Sequence, residues 1–205
     1  MSVFMRTAMV DGCRIHYRQA GAGAANILLL HGKSFTADTW HGLGTLSLLS
    51  EAGWRATAVD LPGAGRSDEC HLAKGDFLFR FMDAARLPAA LVVAPSYSGW
   101  YAFALLDAYP EKVVGFVGVA PRGIRSYHGM LHRVRVPVLA IWGENDDVVP
   151  LERADELVGA VPDGRKIIIA GGSHAPYLSD PHGFHAHLLA FARQCCQPLP
   201  VGGDE

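Results

Sequence analysis

The residue with the most chemical potential in this chain is a serine at the junction of a buried apolar run and a helix. Leu91-Val92-Val93-Ala94-Pro95-Ser96-Tyr97-Ser98-Gly99 reads as a strand that ends, a serine that follows at once, and a helix that begins within two residues. A nucleophile on so sharp a turn needs small residues two positions before and after it, because backbone segments cross closely there. Around Ser96 these are Ala94 and Ser98. Around Ser98 they would be Ser96 and Trp100, and an indole does not suit such a crossing. Ser96 is therefore the better nucleophile. Its plain alternative is a helix N-cap, for which serine is a common choice.

A serine nucleophile needs a general base and an acid to orient that base. The run Val136–Trp142 leads into Gly143-Glu144-Asn145-Asp146-Asp147-Val148-Val149-Pro150, an acidic loop. The run Lys166–Ala170 leads into Gly171-Gly172-Ser173-His174, which presents an imidazole. Taken singly, either acid could cap the helix that follows, and a loop histidine is often a surface residue. Together, three such groups in the order Ser, Asp, His, each after its own strand, point to acyl transfer through a serine ester. A further loop, Leu30-His31-Gly32-Lys33, ends the first long strand. The backbone N–H groups of Lys33 and Tyr97 are the expected oxyanion donors, and His31 is read as a structural hydrogen-bonder. Asp60-Leu61-Pro62-Gly63-Ala64-Gly65-Arg66-Ser67 is glycine-rich but lacks both the lysine and the spacing of a phosphate loop, so it is read as a structural turn.

The elements that must position these groups alternate. Arg6–Val10 and Arg14–Arg18 flank Asp11-Gly12, a hairpin signal. Strands are expected at Asn26–Leu30, Arg55–Val59, Ala89–Ala94, Val113–Val119, Val136–Trp142 and Lys166–Ala170. Helices are expected at Thr39–Ala52, Phe77–Leu87, Ser98–Tyr109, Leu151–Val161 and Phe184–Gln194. This order predicts an α/β fold: about eight strands in a mostly parallel sheet, helices on both faces, and reactive groups at the strands' carboxyl ends. Only Arg122–Arg135 separates the sixth strand from the seventh, enough for a loop or one short helix and too little for a cap domain. That stretch carries Arg122, Arg125, Arg133 and Arg135 with His128 and His132, and reads as a solvated connection or as a basic rim for an acidic substrate or carrier. Without a cap, the nucleophile is expected in an open, shallow pocket lined by Tyr97, Trp100 or Phe35.

Composition sets the outer bounds. The chain has 205 residues, a formal net charge of −2, 50% hydrophobic residues and 19% charged ones. That excludes a largely disordered chain and gives no reason to expect a nucleic-acid or anionic-membrane surface. The length suits one domain over 1–205, with a flexible tail from about 197. Cys13, Cys70, Cys195 and Cys196 show no C-x-x-C spacing and no disulfide framework. His182, His185 and His187 read as an exposed helix start, and no metal or cofactor is required. Apolar runs such as Ile27–Leu30 fall far short of a membrane span, and the first residues lack a signal-peptide core, so the expected location is cytoplasmic.

These residues together resemble the α/β-hydrolase superfamily over nearly the whole chain. Leu29-Leu30-His31-Gly32, Asp60-Leu61-Pro62-Gly63-x-Gly65-x-Ser67 and Gly143-x-x-Asp146 carry the likeness. More closely, Thr39-Trp40, Pro95-Ser96-x-Ser98-Gly99, Gly115-Phe116-Val117-x-Val119-Ala120-Pro121 and His174-x-x-Tyr177-Leu178-x-x-Pro181-x-x-Phe184-His185 resemble the abhydrolase-domain-14 (interacting factor B-like) group of small cap-less serine hydrolases. Phe184 stands where that group usually has an indole, and Lys33 where an apolar residue is expected. The resemblance implies Ser96 as nucleophile, His174 as base and Asp146, rather than Asp147, as acid. Cap-less access suits small acyl groups such as acetyl, on a small acyl ester or an acylated substrate such as an exposed lysine. The resemblance also implies deacylation of proteins with a thiol such as coenzyme A (CoA) as acceptor in place of water. A hydrolase fold kept as a catalytically silent surface for a protein partner is the reading from another class.

Overall fold

A computed structural model of the chain describes residues 2–197. Its frame is an eight-stranded sheet in the spatial order β1-β2-β4-β3-β5-β6-β7-β8. β1 (Val3–Val10) and β2 (Cys13–Ala20) form the expected hairpin, turning at Asp11 (φ 52°) and Gly12 (φ 83°). β2 also runs antiparallel to β4 (Arg55–Val59). The remaining strands are parallel: β3 (Asn26–Leu29), β5 (Ala90–Pro95), β6 (Val113–Val119), β7 (Val138–Gly143) and β8 (Gly164–Ile169).

The central strands are apolar on both faces because both faces are covered. Side chains alternate along each strand. Ile27, Leu29, Leu91, Val93, Val117, Val119, Leu139 and Ile141 therefore enter one core layer. Leu28, Leu30, Val92, Ala94, Phe116, Ala120, Ala140 and Trp142 enter the other. The first layer is closed by α1 (Ala37–Gly42), α2 (Thr45–Glu51) and α8 (Pro181–Cys195). The second is closed by α3 (Lys74–Ala84), α4 (Gly99–Ala108), α5 (Ile124–Leu131) and α6 (Glu152–Ala160). A short α7 (Pro176–Ser179), absent from the expected elements, precedes α8.

The continuous helix expected over Thr39–Ala52 is two helices. Gly44 adopts a left-handed conformation (φ 73°) between α1 and α2, which no continuing helix permits. The connection from β6 to β7 holds α5 alone, in agreement with the expected lack of a cap. The expected tail lies, from residue 198 on, outside the described residues. No helix among the described residues is long and apolar enough to cross a membrane.

One buried side chain bridges the sheet and the site. Trp40, fully buried on α1, donates its indole N–H to the carbonyl of Leu30 at the tip of β3 (2.7 Å). Its ring lies 4.9 Å from that of Tyr177 and 5.9 Å from that of Phe184. Truncation there removes a large packed ring and leaves a carbonyl without its donor. Trp40→Ala is expected to lower unfolding stability by about 3–5 kcal/mol in urea titrations. A loss below about 1 kcal/mol would contradict this role.

Candidate active site

Ser96 sits at the first position after β5, with a positive φ of 49°. This left-handed conformation is costly for a residue with a Cβ, so the surroundings must hold it. Three contacts do so. The Ser96 carbonyl accepts the N–H of residue 122 (2.8 Å). The Ser98 hydroxyl donates to the carbonyl of Pro95 (2.8 Å) and is fully buried. Gly99 has no side chain because a Cβ there would lie 2.3 Å from the carbonyl oxygen of Arg122. Ser98 is thus committed to the turn, while the Ser96 hydroxyl points to an imidazole.

That imidazole belongs to His174, whose Nε2 lies 2.9 Å from Ser96 Oγ. On the other side of the ring, Nδ1 lies 2.9 and 3.0 Å from the two carboxylate oxygens of Asp146. The Asp146 side chain is wholly buried, and its Oδ1 also accepts the N–H groups of Val148 and Val149 (both 2.9 Å). Fixed in this way, the carboxylate favours the tautomer with the proton on Nδ1, leaving the Nε2 lone pair for the serine hydroxyl. Asp147, next along the loop, is exposed.

The loops after β7 and β8 are laced to each other. Glu144 N–H donates to Ile169 O, Asn145 N–H to Gly172 O, and Gly171 N–H to the Glu144 carboxylate. A Cβ on Gly143 would lie 2.1 Å from the Ser173 carbonyl oxygen, so glycine is what lets the two loops meet. The indole of Trp142 closes the acid loop by donating to Val149 O (3.0 Å).

The serine opens into a cavity of about 240 Å³. Phe35, Tyr97, Val148 and Tyr177 form its apolar walls, and the exposed Lys33 and Arg122 also line it. The loop after β3 comes close to the nucleophile: a Cβ on Gly32 would stand 3.9 Å from that of Ser96. Of the expected pocket residues, Tyr97 and Phe35 line this cavity and Trp100 does not. The tight 3₁₀ turn at Ser96–Ser98 swings Trp100 toward Gly123 and Tyr127, and its indole lines a neighbouring depression with Arg122, Arg125 and Arg153. Tyr177 and Val148 were not among the expected pocket residues. Tyr177 stands on α7, three residues beyond His174, and burial raises its phenol pKa.

Behind the site lies a buried polar network. Asp60 accepts the N–H of Ala37 (2.7 Å) and of Arg66 (3.0 Å), and pairs with His16 Nδ1 (2.8 Å). Ser67 donates to Asp60 O and accepts the N–H of His16. The glycine-rich Asp60–Ser67 run is therefore a structural turn, as expected. Among the described residues, no group of three or more His, Cys, Asp or Glu is placed to hold a metal ion.

His31 anchors the loop beside the serine as a neutral ring. Its Nδ1 donates to Gly32 O (2.8 Å) and its Nε2 accepts the N–H of Leu61 (2.9 Å). Burial pushes its pKa below the usual 6.5, and burial shifts His185 the same way. The unfolded chain therefore takes up protons at these residues at a pH where the folded chain does not. Stability is full above about pH 6.5 and declines as the pH falls below it, by at most about 1.4 kcal/mol per pH unit for each proton. His31→Gln should show a shallower decline than the parent in urea titrations between about pH 7 and pH 5. An unchanged slope would contradict the neutral, buried assignment.

Comparison with known proteins gives a consistent picture. No family model matches the chain. A human protein named "Putative protein-lysine deacylase ABHD14B" is 37% identical over 197 residues, covering 90% of this chain and 93% of its own. Mouse "Protein ABHD14A" is 37% identical over 201 residues, covering 93% and 81%. The crystal structure of a CIB-like hydrolase from Thermoplasma acidophilum superposes with a TM-score of 0.90 at 26% identity, covering 95% of this chain and 99% of that one. On identity sustained over this length, the chain belongs to the ABHD14 family of α/β-hydrolases.

Proposed function

We propose that the protein is a serine hydrolase that cleaves small, acetyl-like acyl esters or amides through an acyl-enzyme on Ser96. The observation that carries this reading is the unbroken hydrogen-bonded line from Ser96 Oγ through both nitrogens of His174 to the buried carboxylate of Asp146, opening on a cavity. His174 takes the hydroxyl proton as Ser96 attacks the acyl carbon, then gives it to the leaving alcohol or amine. Asp146 keeps the ring in its tautomer and stabilises the imidazolium. The backbone N–H groups of Lys33 and Tyr97 hold the oxyanion, and losing one such donor costs about 3–4 kcal/mol of barrier. Water, deprotonated by His174, attacks the acyl-enzyme. The acid leaves, and Ser96 recovers its proton.

The lone helix between β6 and β7 leaves Ser96 reachable from outside, which suits an acylated side chain carried on another protein. The human relative's name brings forward acyl-lysine as such a substrate. Four cysteines held as free thiols accord with a reducing compartment, and we place the enzyme in the cytoplasm.

The test is turnover of p-nitrophenyl acetate and of an acetyl-lysine peptide. Ser96→Ala should abolish turnover with the fold intact, while Ser98→Ala, whose hydroxyl only braces the turn, should retain most of it. Asp146→Asn should lower kcat by about 10³–10⁴-fold, and Asp147→Asn by less than about threefold. The reverse ranking of the two carboxylates would overturn the assignment of the acid. A wild-type protein silent on both substrates would favour the interaction-module reading.

A further inference from the structure

The mechanism leaves the charge of the cavity unused. Lys33 and Arg122 both line the space in front of Ser96, and no Asp or Glu lines it. Asp146 is closed off behind His174, its side chain without exposure. Lys33 follows the tip of β3 and Arg122 the tip of β6, the two strands that flank β5, so the cations come from opposite sides of the nucleophile. The Arg122 backbone is fixed there, through its N–H on Ser96 O and its carbonyl against Gly99, while its side chain, like that of Lys33, is exposed and the residue also borders the neighbouring depression. Neither side chain pairs with a carboxylate among the described residues. Neighbouring cations behave otherwise: Arg125 and Arg153 share Glu156, and Arg133 pairs with Asp107.

Resting on the serine-hydrolase reading, we propose that the site selects acyl groups that end in a carboxylate, the short half-esters and half-amides of dicarboxylic acids, with Lys33 and Arg122 as the specificity-determining residues. At about 240 Å³ the cavity is smaller than the roughly 300–1,000 Å³ that takes a drug-sized ligand, so it holds a short acyl chain while the leaving group projects through the uncapped rim. A carboxylate a few bonds from the scissile carbonyl then meets cations on either hand, next to low-dielectric aromatic walls that strengthen the attraction. The reaction balances as hydrolysis. The bond from acyl carbon to leaving oxygen or nitrogen breaks, Ser96 Oγ and then water oxygen bond to that carbon, and the products are a dicarboxylic acid and an alcohol or amine.

The experiment compares kcat/KM for two matched ester pairs that are stable in water. Monoethyl succinate against ethyl pentanoate places the charge in the acyl group; 3-acetoxypropanoate against butyl acetate places it in the leaving group. Monoethyl succinate should exceed its neutral twin by about tenfold at low salt, with the ratio shrinking at about 0.5 M NaCl. Lys33→Met and Arg122→Met should each bring the ratio toward one, and Arg122→Glu should invert it. Equal rates for ethyl pentanoate and monoethyl succinate would overturn the proposal, as would a ratio indifferent to these substitutions or a charge preference confined to the leaving-group pair. Any of these outcomes would leave the hydrolase reading standing. Failure to turn over any of the four esters would overturn the proposal alone where p-nitrophenyl acetate is still cleaved, and would remove the hydrolase reading with it where that substrate is silent too.

Discussion

Everything in the site depends on Ser96 being held in a backbone conformation that a side chain disfavours. A left-handed serine costs about 1–3 kcal/mol unless its surroundings over-determine it. Here they do, through the N–H of residue 122 on the Ser96 carbonyl, the Ser98 hydroxyl on Pro95, and the space left by Gly99. The tip of β6 takes part in the same constraint, for Ala120 also has a positive φ (42°) just before the chain turns to reach Ser96. The strain is thus shared between two adjacent parallel strands. Its product is a half-buried hydroxyl on a rigid sheet, facing a cavity without the mobility of a loop.

The partners of Ser96 arrive by a different principle. Asp146 and His174 sit on loops, which are ordinarily the mobile parts of a fold. Rigidity comes from backbone bonds between the two loops, permitted by the bare Gly143, and from aromatic packing that ties Tyr177 to Phe35, Trp40 and Phe184. The His174 loop is therefore clamped on one side to the acid loop and on the other to the loop after β3. The Asp60 network fixes the start of α1 and the turn beside β2 with charge-assisted bonds deep in the protein. Its role is to hold the ground on which the site stands.

Much of this was legible in the residues. Strands buried on both faces declare themselves as apolar runs and Asp11-Gly12 marks the hairpin, so all eight strands are expected from apolar runs and turn signals alone. Ser96 stands apart from Ser98 because Trp100 does not suit the close crossing that Ala94 and Ser98 allow around Ser96. Choosing Asp146 over Asp147 rested on family likeness, and the buried side chain accords with it, since adjacent loop acids carry no periodicity to separate them. The break at Gly44 was hidden because apolar spacing continues across it. Trp100 was misplaced because a 3₁₀ turn alters the angular phase of the helix that follows. The contact of residue 122 with Ser96 runs through backbone, which leaves no trace in residue type.

The most direct measurement is the reaction of the intact protein with a fluorophosphonate probe, read by peptide mass spectrometry. The phosphonyl group reports an activated serine irrespective of which acyl group the enzyme prefers. A single adduct on Ser96 is expected, formed far more slowly in His174→Ala. An adduct on another serine, or labelling of Ser96 at an undiminished rate without His174, would contradict it.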